Sequence, residues 1–256
     1  YKAYDNQGGQ VVAPWDAEVE AGMAAEPLVP VPPSPDADAR IQPIPAELEE
    51  AFLAMSQSFL ARPKAFLPTP VLYTPFHGTG IAFTPELFRR AGLPLEVCEA
   101  QAVPDGTFPT APRPNPEELA AFEVTIQDAE RKGISVILAS DPDADRLGVL
   151  VKREGRWLQM SGNDMAALTL DYLAREKGVK GTVVTTVVTS DFLAETARMH
   201  GMSTVWTLTG FKNIAVCMHR LVELGEPYAF GAEESIGSCP SGELRDKDGI
   251  TAALIA

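Results

Sequence analysis

Short apolar segments rich in β-branched residues alternate with helix-periodic segments along most of this 256-residue chain, and few folds accept that alternation. Val71–Tyr73, Leu95–Cys98, Ser135–Ala139, Val183–Val188, Ser203–Leu208 and Tyr228–Phe230 are too short for helices and suit strands buried on both faces. Between them, glycine stops and first-turn signals predict helices over Pro85–Ala91, Pro116–Lys132, Asp164–Glu176, Asp191–His200 and Asn213–Leu224. A further helix opens after Pro45, where Leu48, Phe52, Met55 and Phe59 recur at helical spacing behind Glu47, Glu49 and Glu50. Leu147–Lys152 and Trp157–Met160, joined through Glu154-Gly155, add two strands, and an apolar helix after Asp248-Gly249 ends the sequence. The alternation gives the fold class as α/β.

Length gives about two domains at ~150 residues each. The first fifty residues carry ten acidic side chains against Lys2 and Arg40, and seven prolines fall between Pro27 and Pro45. The prolines forbid regular helix over Pro27–Pro45, which reads as an extended linker or the edge of a neighbouring unit, and Tyr1–Val12 reads as a hairpin remnant. The start at Tyr1 reads as a piece beginning mid-protein. A net charge of −14 without a segregated basic patch argues against nucleic acid or an anionic membrane surface as partner. No apolar run reaches the ~18 residues of a membrane-spanning helix. Cys98, Cys217 and Cys239 form neither a disulfide framework nor a zinc pattern, which favours a reducing compartment such as the cytoplasm.

Ser140-Asp141-Pro142-Asp143-Ala144-Asp145-Arg146, set between two apolar strands, is the most informative stretch. Three carboxylates at alternate positions repel one another, and oxygen-only ligands of this kind suit Mg²⁺ or Ca²⁺ better than zinc. An EF-hand is excluded because Arg146 and Lys152 stand where that loop requires glycine and a bidentate glutamate. Along Gly231–Gly237, Glu233 and Ser235 share one side of an extended segment and can take two neighbouring sugar hydroxyls. Thr209-Gly210-Phe211-Lys212 turns a strand end into a helix with a lysine in its first turn, a place where an anion can bind. Arg245-Asp246-Lys247-Asp248, read alone, is a surface ion-pair cluster.

Together these stretches resemble the alpha-D-phosphohexomutases, the family of phosphoglucomutase and phosphomannomutase. Asp141, Asp143, Asp145 and Arg146 are similar to its Asp-x-Asp-x-Asp-Arg metal loop, and Glu233-Glu234-Ser235 to its sugar loop, with Ala232 inserted after Gly231. Tyr73–Gly78, Pro114-Asn115-Pro116-Glu117, Thr209–Lys212 and Arg245–Gly249 look most like the phosphoglucomutase and phosphopentomutase branch. The resemblance implies a reversible 1,6-phosphoryl shift on a hexose phosphate through a hexose 1,6-bisphosphate. It also implies Mg²⁺ at the three aspartates, Lys2 as acid/base with Arg146 beside it, Glu233 and Ser235 on the sugar, and Lys212 and Lys247 lining the pocket.

A lysine can act so if neighbouring cations and burial lower its pKa. His77 is expected to shape its turn rather than donate a proton. The resemblance further implies tandem three-layer αβα domains, truncated at both ends, with residues 1–43 as the tail of a first domain plus linker, 44–155 as domain two and 156–256 as domain three. The phosphoserine and a fourth domain then lie outside the sequence, and the piece alone is expected to be inactive. Two other readings compete: a non-catalytic sugar-phosphate-binding regulatory module of the same fold, and an aspartyl-phosphate phosphatase. The second fits poorly, since Asp145 or Leu147 stands where its motif needs threonine or valine.

Overall fold

The computed structural model describes residues 2–26, 43–60 and 69–256, so Tyr1 and most of the proline-rich stretch lie outside the described residues. Two sheets form. In the first, β1 (Val71–Thr74) lies parallel to β2 (Leu95–Val97) and β3 (Val136–Ser140), while β4 (Leu147–Arg153) and β5 (Arg156–Gln159) follow antiparallel, in the order β2-β1-β3-β4-β5. In the second, β6 (Thr182–Thr186) is parallel to β7 (Ser203–Thr207) and β8 (Tyr228–Ala232), and β9 (Ser238–Cys239) closes it antiparallel, in the order β7-β6-β8-β9.

The second sheet repeats the first four strands of the first. In both, the third parallel strand runs into an antiparallel fourth through a loop at its carboxyl end. That loop is Asp141–Arg146 in one unit and Glu233–Gly237 in the other, so the two stretches singled out in the sequence occupy equivalent positions. Ligands of parallel α/β sheets bind at this end.

Helices cover both faces. On the first sheet, α2 (Ala46–Ser58), α3 (Thr84–Ala91) and α8 (Gly249–Ile255) bury Leu53, Leu87, Phe88 and Leu254 with Tyr73 and Leu138. On its other face, α4 (Glu123–Lys132) and the turn before it bury Phe76, Phe122, Ala129 and Ile137. In the second unit, α5 (Gly162–Glu176) and α6 (Asp191–Met199) pack Leu170, Leu173 and Leu193 on Phe230, while α7 (Phe211–Leu224) covers the opposite face with Ile214 and Met218. Each such side chain, fully buried, contributes about 1.5–3 kcal/mol.

Local signals set the ends. Ser161 and Asp164 form a reciprocal capping box, Ser190 caps α6, and Gly92, Gly133 and Gly225 take left-handed conformations after α3, α4 and α7.

Four readings change. The helix expected from Pro116 begins at Glu123, preceded by a 3-10 turn at Leu119–Phe122, because the Asn115 side-chain oxygen takes the Glu117 N–H and holds a turn. The strand expected to Val188 ends at Thr186, where the Thr186 and Thr189 hydroxyls meet at 2.9 Å and turn the chain. α7 opens at Phe211, not Asn213. The acidic first segment holds a helix, α1 (Trp15–Ala25), with no buried residue, and its hairpin is reduced to one bridge between Tyr4 and Gln10. β5 pairs with β4, so the first sheet extends beyond the boundary expected at 155/156.

Candidate active site

The aspartate loop is shaped from three sides. Ala144 sits at φ 59°, an uncommon conformation for a residue with a Cβ, and brings the three carboxylates to one side of the turn. Thr79 N–H donates to Pro142 C=O at 2.8 Å, which fixes the Thr74–Gly80 turn against the loop. From the second unit, Gly249 N–H donates to Ala144 C=O at 3.2 Å, and a Cβ on Gly249 would stand 2.7 Å from Arg146 O. Only glycine lets α8 approach so closely.

One oxygen from each of Asp141, Asp143 and Asp145 lies within 4.8 Å of the others. Arg146 holds Asp141 twice, through its backbone N–H at 3.0 Å and its Nε at 2.7 Å, and reaches Asn115 Oδ1 at 3.3 Å. Lys2 Nζ donates to Asp143 Oδ2 at 3.0 Å and Asp145 Oδ2 at 2.5 Å, and Lys247 Nζ lies 3.1 Å from the same Asp145 oxygen. Burial and the Asp145 charge push the Asp141 carboxyl up to about 6 despite Arg146. Burial also raises Asp145, but Lys2 and Lys247 outweigh it and hold that carboxyl below its ordinary value.

The Glu233–Gly237 loop joins this centre directly. Leu147 N–H donates to Ile236 C=O at 3.2 Å, and Arg146 and Gly237 form an antiparallel bridge. Buried Glu233 takes the Gly210 N–H on Oε1 at 3.0 Å, which ties the Thr209–Lys212 turn to the same loop. Burial raises its carboxyl above the ordinary range, and Lys247 opposes that. Glu234 faces the other way, onto the hydroxyls of Thr186 and Thr189 at 3.2 and 3.1 Å. Ser235 Oγ makes no hydrogen bond among the described residues, so it is free for a ligand.

Lys2, Asp141, Asp143, Asp145, Arg146 and Lys247 are thus one cluster, with Glu233 and Ser235 on the adjoining loop. Lys212 is not drawn in: its ammonium pairs with Asp16 of α1 at 3.3 Å. Lys2 also departs from expectation. Burial lowers its pKa, but the hydrogen bonds it donates to Asp145 and Asp143 outweigh that and raise it, because carboxylates and not cations surround the ammonium.

The 245–248 cluster is not a surface one. Asp248 is buried, caps α8 through Oδ1 at 2.9 Å to Thr251 N–H, and Lys247 turns inward over the Phe211 ring. His77 is buried, with its ring nitrogens on Val103 C=O at 3.0 Å and Thr110 Oγ1 at 2.9 Å, as a turn-shaping residue requires. Sequence reading missed Tyr4, whose hydroxyl donates to Asp246 Oδ2 at 2.8 Å and clasps the Lys2 segment to the second unit. Its position two residues after Lys2, on the same side of an extended segment, was the available signal. No helix among the described residues is long and apolar enough to cross a membrane.

Comparison with known proteins agrees with this geometry. Residues 50–155 match the profile of phosphoglucomutase/phosphomannomutase alpha/beta/alpha domain II, and residues 161–256 match that of domain III. A Haemophilus influenzae protein named "Probable phosphomannomutase" is 35% identical over 100% of this chain and 52% of its own length. Human phosphopentomutase is 32% identical over 100% of this chain and 45% of its own. The fold matches a phosphoglucomutase/phosphomannomutase family protein from Burkholderia thailandensis with a TM-score of 0.63 at 19% identity, over 81% of this chain and 43% of that one. The chain therefore spans about half the length of these relatives. With both domain profiles matched in order, and the aspartate loop and the Glu233–Gly237 loop in equivalent positions, the chain belongs to the phosphoglucomutase/phosphomannomutase family.

Proposed function

We propose that the complete protein carrying this chain is a phosphosugar mutase, which moves a phosphoryl group between the 1- and 6-hydroxyls of a hexose phosphate. The observation that carries this reading is the junction of the aspartate loop with the Glu233–Gly237 loop through Leu147 N–H and Ile236 C=O. That junction sets a charge-neutralising centre beside two sugar-binding groups. The curated relatives are named as mutases, which favours an enzyme over a regulatory module.

The residues fit Mg²⁺. All donors are carboxylate oxygens, they converge within 4.8 Å, and Asp143 remains partly exposed, which suits an ion that keeps part of its water. Asp141, Asp143 and Asp145 would hold it, and when bound it supplies charge neutralisation for a phosphoryl group in transfer.

The chain's own groups do the rest. Arg146, fixed on Asp141 by its Nε and on Asn115 and Glu117 by Nη1, offers Nη2 to phosphate oxygens. Lys2 Nζ, kept as an ammonium by Asp143 and Asp145, would donate the proton to the sugar oxygen, and would take one back only once off those carboxylates. Glu233 and Ser235 Oγ hold the sugar's neighbouring hydroxyls, while Lys247 supplies positive charge to the phosphate. The phosphoryl carrier is a phosphoserine of the complete protein, the two units divide between β5 and α5, and the cysteines favour the cytoplasm.

The test is conversion of glucose 1-phosphate, mannose 1-phosphate and ribose 1-phosphate by the complete protein with Mg²⁺ and a trace of glucose 1,6-bisphosphate, followed by ³¹P NMR. Transfer to the primary hydroxyl of at least one sugar is expected. No conversion of any of the three, by folded protein, would overturn the reading.

A further inference from the structure

Each aspartate of the loop is paired with a cation without any added ion. Asp141, Asp143 and Asp145 face Arg146, Lys2 and Lys247, three anions against three cations. The six groups do not share equally. Arg146 sits closest to Asp141 at 2.7 Å and reaches Asp145 only at 3.9 Å, and Lys247 meets Asp145 of the three, with a second contact to its neighbour Asp246 at 3.5 Å. Lys2 hydrogen-bonds two of the three aspartates, on Asp143 Oδ2 and Asp145 Oδ2, and it is the cation that holds Asp143. Those are carboxylates that a divalent cation needs.

We propose that Lys2 is a built-in competitor for the metal centre: a divalent cation binds Asp143 and Asp145 by displacing the Lys2 ammonium, and the displaced ammonium turns to the substrate's phosphate side. The inference rests on the metal reading above and adds the coupling to it. Two features make the exchange feasible. The Lys2 side chain is about a third exposed, so its ammonium can leave into water without a buried gap forming. Its backbone stays in place, because the next residues are held by Tyr4 Oη on Asp246 and by the Asp5–Gly9 turn, where Asp5 N–H donates to Gly9 C=O at 2.8 Å.

The charge count gives the consequence. With Glu117 on Arg146 and Asp246 on Lys247 counted, five carboxylates face three cations, so a dication neutralises the cluster and removes the repulsion a phosphate dianion would otherwise meet. Metal and phosphate ester therefore bind cooperatively, each improving the other by the same factor.

The experiment is Mg²⁺ titration of the full chain by calorimetry. Lys2→Met removes the competing charge at similar length and should bind Mg²⁺ about tenfold more tightly than the unsubstituted chain, by loss of two close ion pairs. Lys2→Arg keeps the charge and should show no such gain. Lys152→Met, whose partner is Glu130 on the far helix, controls for net charge and should change affinity less than about twofold.

A second readout is independent of affinity: reductive methylation of Lys2, followed by mass spectrometry, should be several-fold faster with Mg²⁺ present. If Lys2→Met binds no tighter, or if Mg²⁺ leaves the methylation rate of Lys2 unchanged, the displacement is refuted while the metal site stands. If neither the unsubstituted chain nor Lys2→Met binds Mg²⁺, the metal reading falls and the displacement with it.

Discussion

Replacing Gly249 by alanine tests how the second unit grips the metal loop. A Cβ at this position would lie 2.7 Å from Arg146 O and 2.8 Å from Ala144 O. Both are backbone atoms of the loop that carries the aspartates, so no side-chain rotation relieves the overlap. Either α8 retreats or the loop does. Retreat of α8 is opposed by Ala252, Ala253 and Leu254, which are buried in the first core, and by the buried Asp248 cap. Overpacking of this kind costs about 1–3 kcal/mol, and the Gly249 N–H to Ala144 C=O hydrogen bond adds about 1 kcal/mol when broken. Alanine's better helix propensity returns up to about 1 kcal/mol. The net expectation is a loss of about 1–3 kcal/mol, a fall in Tm of roughly 2–12 °C for a chain of this size. Urea and thermal denaturation measure it, with Gly106→Ala as control, since nothing lies within 4 Å of that position. Mg²⁺ affinity should fall in the same variant, because the carboxylates move with the loop. A Gly249→Ala protein that melts at or above the unsubstituted one, with unchanged Mg²⁺ affinity, refutes the close approach.

Three further outcomes follow from the site. Asp143→Asn should remove Mg²⁺ binding yet move Tm by only a few degrees, because the Lys2–Asp143 pair is too exposed to contribute more than about 1 kcal/mol; calorimetry and a melt on the same sample check both halves. Because the Asp141 carboxyl sits at about 6, a proton competes with the metal below that pH, and Mg²⁺ affinity should fall by up to about tenfold per pH unit from 6 downward and level off above it. An affinity that is flat from pH 5 to pH 7 contradicts this. Ser235→Ala in the complete protein should raise KM and lower kcat/KM by about 10–100-fold, roughly 1.4–2.7 kcal/mol, with Tm unchanged since its hydroxyl has no partner among the described residues.

The fold was legible where packing repeats a simple period. Strands such as Val136–Ser140 and Thr182–Thr186 are buried almost throughout and read as apolar runs, and the glycine stops after α3, α4 and α7 announce themselves. β9 was not legible, because two residues, Ser238 and Cys239, carry no pattern and their pairing with Ala232 and Gly231 is decided by the loop between. α1 was hidden for the opposite reason: with no residue buried, it has no apolar face for periodicity to show.

In the site, the aspartate triplet declared itself because adjacent charges demand an explanation. Lys2 and Lys247 meet at Asp145 from 143 and 102 residues away in opposite directions, and no local spacing encodes that meeting. The resemblance supplied those lysines, but it did not supply the sign of Lys2's pKa shift, which depends on which charges end up beside it.

Anomalous diffraction from crystals of the chain soaked in Mn²⁺, which takes the same oxygen ligands as Mg²⁺, tests the metal centre most directly. One anomalous peak is expected about 2.1–2.3 Å from an oxygen of each of Asp141, Asp143 and Asp145, with the Lys2 ammonium moved off Asp143 and Asp145. Mn²⁺ bound elsewhere, or an unchanged Lys2 bridge with no peak among the three aspartates at saturating Mn²⁺, would contradict the metal centre on which the proposed chemistry depends.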